Sequence, residues 1–72
     1  MAYYQCFKTT ARNVYCSSYQ VRNHDEGNAW VKAALENLNI RGSDMLGKPF
    51  ELDAVPENAI TYPGDVPVAV EN

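Results

Sequence analysis

Metal ligands are scarce in this chain. It has two cysteines and one histidine, at positions 6, 16 and 24, and zinc sites draw their ligands from closely spaced pairs. No such pair exists here, so a structural zinc is not expected, and no cofactor is called for. Signatures of catalysis are missing too. There is no glycine-rich phosphate loop, no G-x-S-x-G and no H-E-x-x-H, and Gly47-Lys48 lacks both the upstream glycine and the following Ser/Thr of a P-loop. No stretch approaches the ~18 apolar residues that cross a membrane. The first ten residues, MAYYQCFKTT, show no basic region followed by an apolar run. Together these place the protein in the cytoplasm of the producing or host cell, with no membrane partner. In that compartment two cysteines default to free thiols, and Cys6 and Cys16 are read as small buried hydrophobes. A cross-strand disulfide is the alternative reading of the pair.

Size is the next restriction. Seventy-two residues make one domain, 1–72, and a chain this short buries only about 60% of the surface its unfolded form would expose. A single core of that size supplies roughly 3–5 kcal/mol. A partner subunit or a disulfide is the expected supplement, and homodimerisation follows as an expectation.

Acid is absent from the first 22 residues, although the net charge of the whole chain is −3. Lys8, Arg12 and Arg22 lie there unopposed. The other fifty residues hold all nine acids against Lys32, Arg41 and Lys48. Three basic residues offer few phosphate contacts, so duplex nucleic acid is a poor partner for the basic segment.

What is present is aromatic and periodic. Residues 3–9 and 13–22 are rich in Tyr, Phe, Val and Thr, and TARN between them can turn, which reads as a β-hairpin over about 3–22. With Thr10–Arg12 as the loop, Cys6 faces Cys16, Phe7 faces Tyr15 and Tyr3 faces Tyr19. One face then carries Tyr3, Phe7, Tyr15, Tyr19 and Val21. The other carries Tyr4, Cys6, Lys8, Val14 and Cys16. A register one residue away exchanges the faces.

Trp30, Val31, Ala34, Leu35 and Leu38 form the stripe of an amphipathic helix over about 24–39. Asn23 with Glu26 three residues later fits a cap, Asp25 and Glu26 suit the positive end of the helix dipole, and Gly42 marks the end. Residues 43–59 are irregular, with PFEL as a possible short strand. ITYPGDVPVAV reads as a strand, a turn and a further extended run, with Pro67 holding that run to a sheet edge or out of the sheet. The expected fold is a small α+β domain: an N-terminal hairpin, one helix across it, and one or two short C-terminal strands completing an antiparallel sheet.

One helix covers one face of a hairpin, and aromatics stand on both faces. The surplus points to a protein partner, since tyrosine is enriched at interfaces. Tyr3, Tyr4, Tyr15 and Tyr19 are the candidate anchors, with Lys8 and Arg12 as their polar rim. Glu51, Asp53, Glu57 and Asp65 make a second, acidic candidate surface. His24 reads as a solvent-exposed residue of the first helical turn. The functional expectation is a non-enzymatic interaction module, of the type of small inhibitory or accessory proteins of phages and mobile elements; no single residue carries that type. Binding of a nucleic acid or nucleotide-like ligand on the aromatic, basic hairpin is the alternative, and mimicry of nucleic acid by the acidic part is another.

Overall fold

The computed structural model describes residues 2–64. Six elements follow one another: β1 (Tyr4–Lys8), β2 (Val14–Ser17), α1 (His24–Asn37), a 3-10 turn (Gly42–Asp44), β3 (Phe50–Leu52) and β4 (Ile60–Tyr62). The fold is the expected small α+β unit. Its four-stranded sheet has the order β3-β1-β2-β4. Its sense differs from the expectation in one respect: β3 and β2 run antiparallel to β1, but β4 runs parallel to β2, so the sheet is mixed. The extended run expected after Pro63-Gly64, and Asp65 with it, lie outside the described residues.

The hairpin has the three-residue loop. Thr9 N–H donates to the Asn13 carbonyl at 2.9 Å, Arg12 N–H donates to the Thr9 carbonyl at 2.9 Å, and Arg12 takes the left-handed conformation (φ 69°) that lets the chain reverse. Cys6 therefore faces Cys16, and Phe7 faces Tyr15. The expected Tyr3–Tyr19 pair is not formed; Tyr3 pairs with Val21 through two backbone bonds of 3.0 and 2.7 Å. Ser17 is the cause. Its buried hydroxyl accepts from the Gln5 N–H at 3.1 Å and donates to the Tyr19 carbonyl at 2.7 Å. A side chain thus stands in for the next rung, and residues 18–20 bulge out of the ladder. The shift is two residues, an even number, so Val21 stays on the same face as Phe7 and is fully buried.

Helix α1 begins where the sequence places it. Asn23 is extended, and its side chain accepts from the Glu26 N–H at 2.9 Å, while Glu26 reaches back to the Arg22 N–H at 2.7 Å. It ends earlier than Gly42. Asn39 adopts φ 58°, and the N–H groups of Asn39 and Ile40 return to the carbonyls of Glu36 and Leu35 at 3.2 and 2.9 Å. That is a Schellman closure, with asparagine where glycine is commoner, and Leu35 and Ile40 both pack on the core. Gly42 opens the 3-10 turn instead.

Trp30, Phe7, Val31 and Ala34 form the core, with the Phe7 and Trp30 rings 5.5 Å apart. The helix lies chiefly over β1. Its approach is set by Gly27, where a Cβ would sit 2.2 Å from Gln5 Oε1. Gln5 is itself held by its amide, which donates to the Phe50 carbonyl at 3.1 Å. On the far side of Trp30 the indole N–H donates to the Tyr62 carbonyl at 2.8 Å, which ties β4 to the core.

The opposite face of the sheet belongs to the even-numbered residues of β1 and β2. There the sulfurs of Cys6 and Cys16 are joined in a disulfide, with their Cα atoms 4.1 Å apart. The pair flanks the hydrogen-bonded Phe7–Tyr15 rung, so it occupies the closely spaced, non-bonded site of an antiparallel ladder, where side chains approach best. The expectation of free thiols is thereby corrected: the register that the turn imposes sets the two Cβ atoms face to face, within reach of a disulfide. Residues 53–59 must cross from β3 at one edge to β4 at the other. The helical crossover from β2 to β3 runs the opposite way across the sheet, so two right-handed connections occupy opposite faces. Residues 53–59 thus pass over the disulfide, in agreement with the full burial of Cys6 and Cys16 and the partial burial of Val55 and Ala59.

Candidate interaction surface

The nine candidate residues among those described do not gather on one surface. Tyr15 and Tyr19 stand on the helix face, half-buried and packed against the core at its margin, and Tyr15 stacks on Phe7 with centroids 5.3 Å apart. Tyr4 is half-buried on the disulfide face, in register with Leu52. Lys8 is in register with Val14, and Arg12 is exposed in the turn, so the two bases stand at the hairpin's tip. Asp53 and Glu57 are exposed in the crossover.

Tyr3 and Glu51, assigned to separate surfaces by sequence, meet. The Tyr3 hydroxyl lies 3.4 Å from His24 Nδ1, and that nitrogen lies 3.3 Å from Glu51 Oε2. Desolvation pushes the Tyr3 phenol above its ordinary pKa of 10.0, and the carboxylates of Glu51 and Glu26 push it further in the same direction. His24 is 80% exposed, as expected of a residue in the first helical turn. The cluster joins three segments: the residue just before β1, α1 and β3. No group of three or more metal-ligating side chains occurs among the described residues.

Sequence reasoning passed over two exposed apolar residues: Ile60, which belongs to this surface, and Leu46, whose N–H donates to the Lys8 carbonyl on the β3 side of β1, away from it. Among the described residues, Leu46 and Ile60 are the exposed large hydrophobics, at 52% and 44%. Ile60 is in register with Tyr15 across the β2–β4 ladder. Because the helix leans over β1, this side of its face is left with an apolar strip: Tyr15 and Tyr19 at the core margin, Ile60 in solvent, Tyr62 beyond. ITY could be read as a strand, but its partner could not. Only the pairing with β2 turns Ile60 from one more strand residue into a neighbour of Tyr15. The aromatic anchors and the basic tip are therefore linked at Tyr15, two residues from the turn at Asn13.

No helix of the described residues is long and apolar enough to cross a membrane. Comparison with family models, curated proteins and solved structures finds no match for this chain.

Proposed function

We propose that this chain is a small non-enzymatic protein-interaction module, acting as an inhibitor or accessory protein by covering a surface of another protein. One observation carries the reading: an exposed isoleucine, Ile60, in register with a half-buried, ring-stacked tyrosine, Tyr15. Rigid aromatics already held by the core lose little entropy on contact and make good anchors. Lys8 and Arg12 at the hairpin tip supply a polar rim, and Tyr19 extends the strip. Tyr3, Tyr4 and the acids Glu51, Asp53 and Glu57 lie off it and serve as secondary contacts.

The test is a photo-cross-linking amino acid at position 60, with a control at Glu36 on the exposed side of the helix. A discrete cross-linked protein at 60 and not at 36, lost when Tyr15 is replaced by Leu, is the expected result. Cross-links to nucleic acid alone, or the same pattern from both positions, would overturn the reading.

Cytoplasmic action is part of the proposal. Disulfides persist mainly in oxidising compartments, but Cys6 and Cys16 are fully buried, and exchange requires a thiolate to reach sulfur. Acid-quenched alkylation of cells making the protein checks this: Cys6 and Cys16 should be refractory to the reagent until unfolded and reduced.

A further inference from the structure

A sheet of four strands has two edges, and here they are built differently. The β3 edge carries three devices that discourage strand addition. The register along β1 moves by two residues between the Thr9–Met45 bridge and the Cys6–Phe50 pair. Gly47 turns the chain there with φ 79°, and Lys48 and Pro49 follow directly. Glu51 then places a charge at the centre of the strand. The β4 edge differs at the strand itself: its register along β2 is constant and its central residue is the uncharged Thr61, although Pro63 and Gly64 (φ 57°) bound it as Gly47 and Pro49 bound β3. From Asn58 to Tyr62 the sequence is NAITY, without charge, proline or glycine. Ile60 is exposed, and among the described residues no strand lies beyond β4.

From this asymmetry we infer that β4 is the docking edge for a second copy of this chain, antiparallel across a twofold axis near Thr61. The proposal rests on the interaction reading above and names the partner of that same strip. A twofold at β3 would set Glu51 against its own copy, whereas at β4 it sets Ile60 against Tyr62 of the second chain. Branched–aromatic pairs of that kind stabilise antiparallel ladders, and like charges placed opposite each other destabilise them. The helix-side strip then runs unbroken from Tyr15 through Ile60 into the second chain, and Ile60 leaves solvent. Among the described residues each chain offers one open edge and one blunted edge, so the assembly closes at two and does not grow into a fibre. The indole N–H of Trp30 holds the Tyr62 carbonyl, which fixes β4 in place before it is met.

Sedimentation equilibrium of the oxidised chain over a wide concentration range, with Ile60→Lys and Ile60→Glu beside it, tests the inference. The wild type should form a dimer and no larger species. Each variant alone should raise the dissociation constant by about ten-fold or more. An equimolar mixture of the two should recover the dimer, because the substituted positions then carry opposite charges across the twofold. Unchanged Trp30 fluorescence and circular dichroism in both variants show that the fold is intact. A wild type that stays monomeric throughout, or a dimer indifferent to both substitutions, overturns the inference. If the wild type is monomeric yet position 60 still cross-links to a different protein, self-pairing falls and the interaction reading stands. If it dimerises and position 60 captures only its own copy, the dimer stands and the inhibitory reading falls.

Discussion

The two faces of the sheet are closed by different physics. On the helix face Trp30, Phe7, Val21 and Ala34 exclude water completely, and the closure is the sum of many weak contacts. On the other face a seven-residue connection without regular structure passes over two strands, and a covalent bond between Cys6 and Cys16 holds those strands together. A short chain lacks enough apolar residues to build two hydrophobic layers. The comparison teaches how it manages with one: apolar volume is concentrated under the helix, and a disulfide serves where volume is lacking. One face should therefore be sensitive to side-chain size and the other to redox conditions.

The largest expected effect is on the helix face. Trp30→Ala removes the largest buried side chain and its bond to Tyr62. Such truncations cost about 3–5 kcal/mol, comparable with all that a core of this size supplies. The variant should be unfolded at 25 °C by circular dichroism; a cooperative melt near that of the wild type would place the stability elsewhere. Next comes the disulfide. The bond closes a loop of sequence separation 10, for which the chain-entropy account gives roughly 2–3 kcal/mol. Reduction, or replacement of both cysteines by alanine, should lower the melting temperature while the emission of Trp30 stays that of a buried indole. If reduction alone exposes Trp30, the two faces are not independent and the comparison fails.

These two faces were unequally legible in the sequence. The helix stripe and the Asn23 cap follow from local rules, because each is decided within a few residues: a period of 3.6, an Asx side chain before a turn. The hairpin register stayed open by one residue, because the sequence allowed a two-, three- or four-residue loop and only the structure shows three. The disulfide was the lesser of two readings of the cysteine pair, because the expected compartment argued for thiols and the register that sets Cys6 against Cys16 was open. The bulge was not legible, since it depends on a hydroxyl, that of Ser17, choosing the Gln5 N–H across the ladder over solvent. Nor was the parallel placement of β4, because three residues of strand propensity do not say which neighbour they will find. For the same reason the candidate surface was half readable. Tyr15, Tyr19, Lys8 and Arg12 announce themselves by type, while Ile60 matters only through its place beside Tyr15.

A smaller effect sharpens the account of how the helix face is assembled. At Gly27 an alanine would gain about 1 kcal/mol of helix propensity, but its Cβ would press on Gln5 Oε1. The amide would have to move, and with it the bond to the Phe50 carbonyl. Gly27→Ala alone should therefore be close to neutral or mildly destabilising. In a Gln5→Ala background the same change should be stabilising by about 1 kcal/mol. The sign reversal in a double-mutant cycle of denaturant melts is the test; equal effects in both backgrounds would mean that Gln5 does not set the helix approach.

The smallest effect concerns the junction where helix, β1 and β3 meet. Folding raises the Tyr3 pKa, first by desolvation and then through Glu51 and Glu26. The folded state therefore holds the phenolic proton longer than the unfolded one. This contribution to stability is whole below 10.0, the ordinary value, and disappears as the pH climbs through the higher folded value. Absorbance at the tyrosinate band should show one late-titrating group that is missing in Tyr3→Phe. In Glu51→Gln that group should titrate earlier, yet still late, because desolvation remains and Glu26 keeps its charge. If the Glu51 substitution removes the whole delay, then charge outweighs burial, and the junction is held by its carboxylate and not by the packing of the helix on the strand.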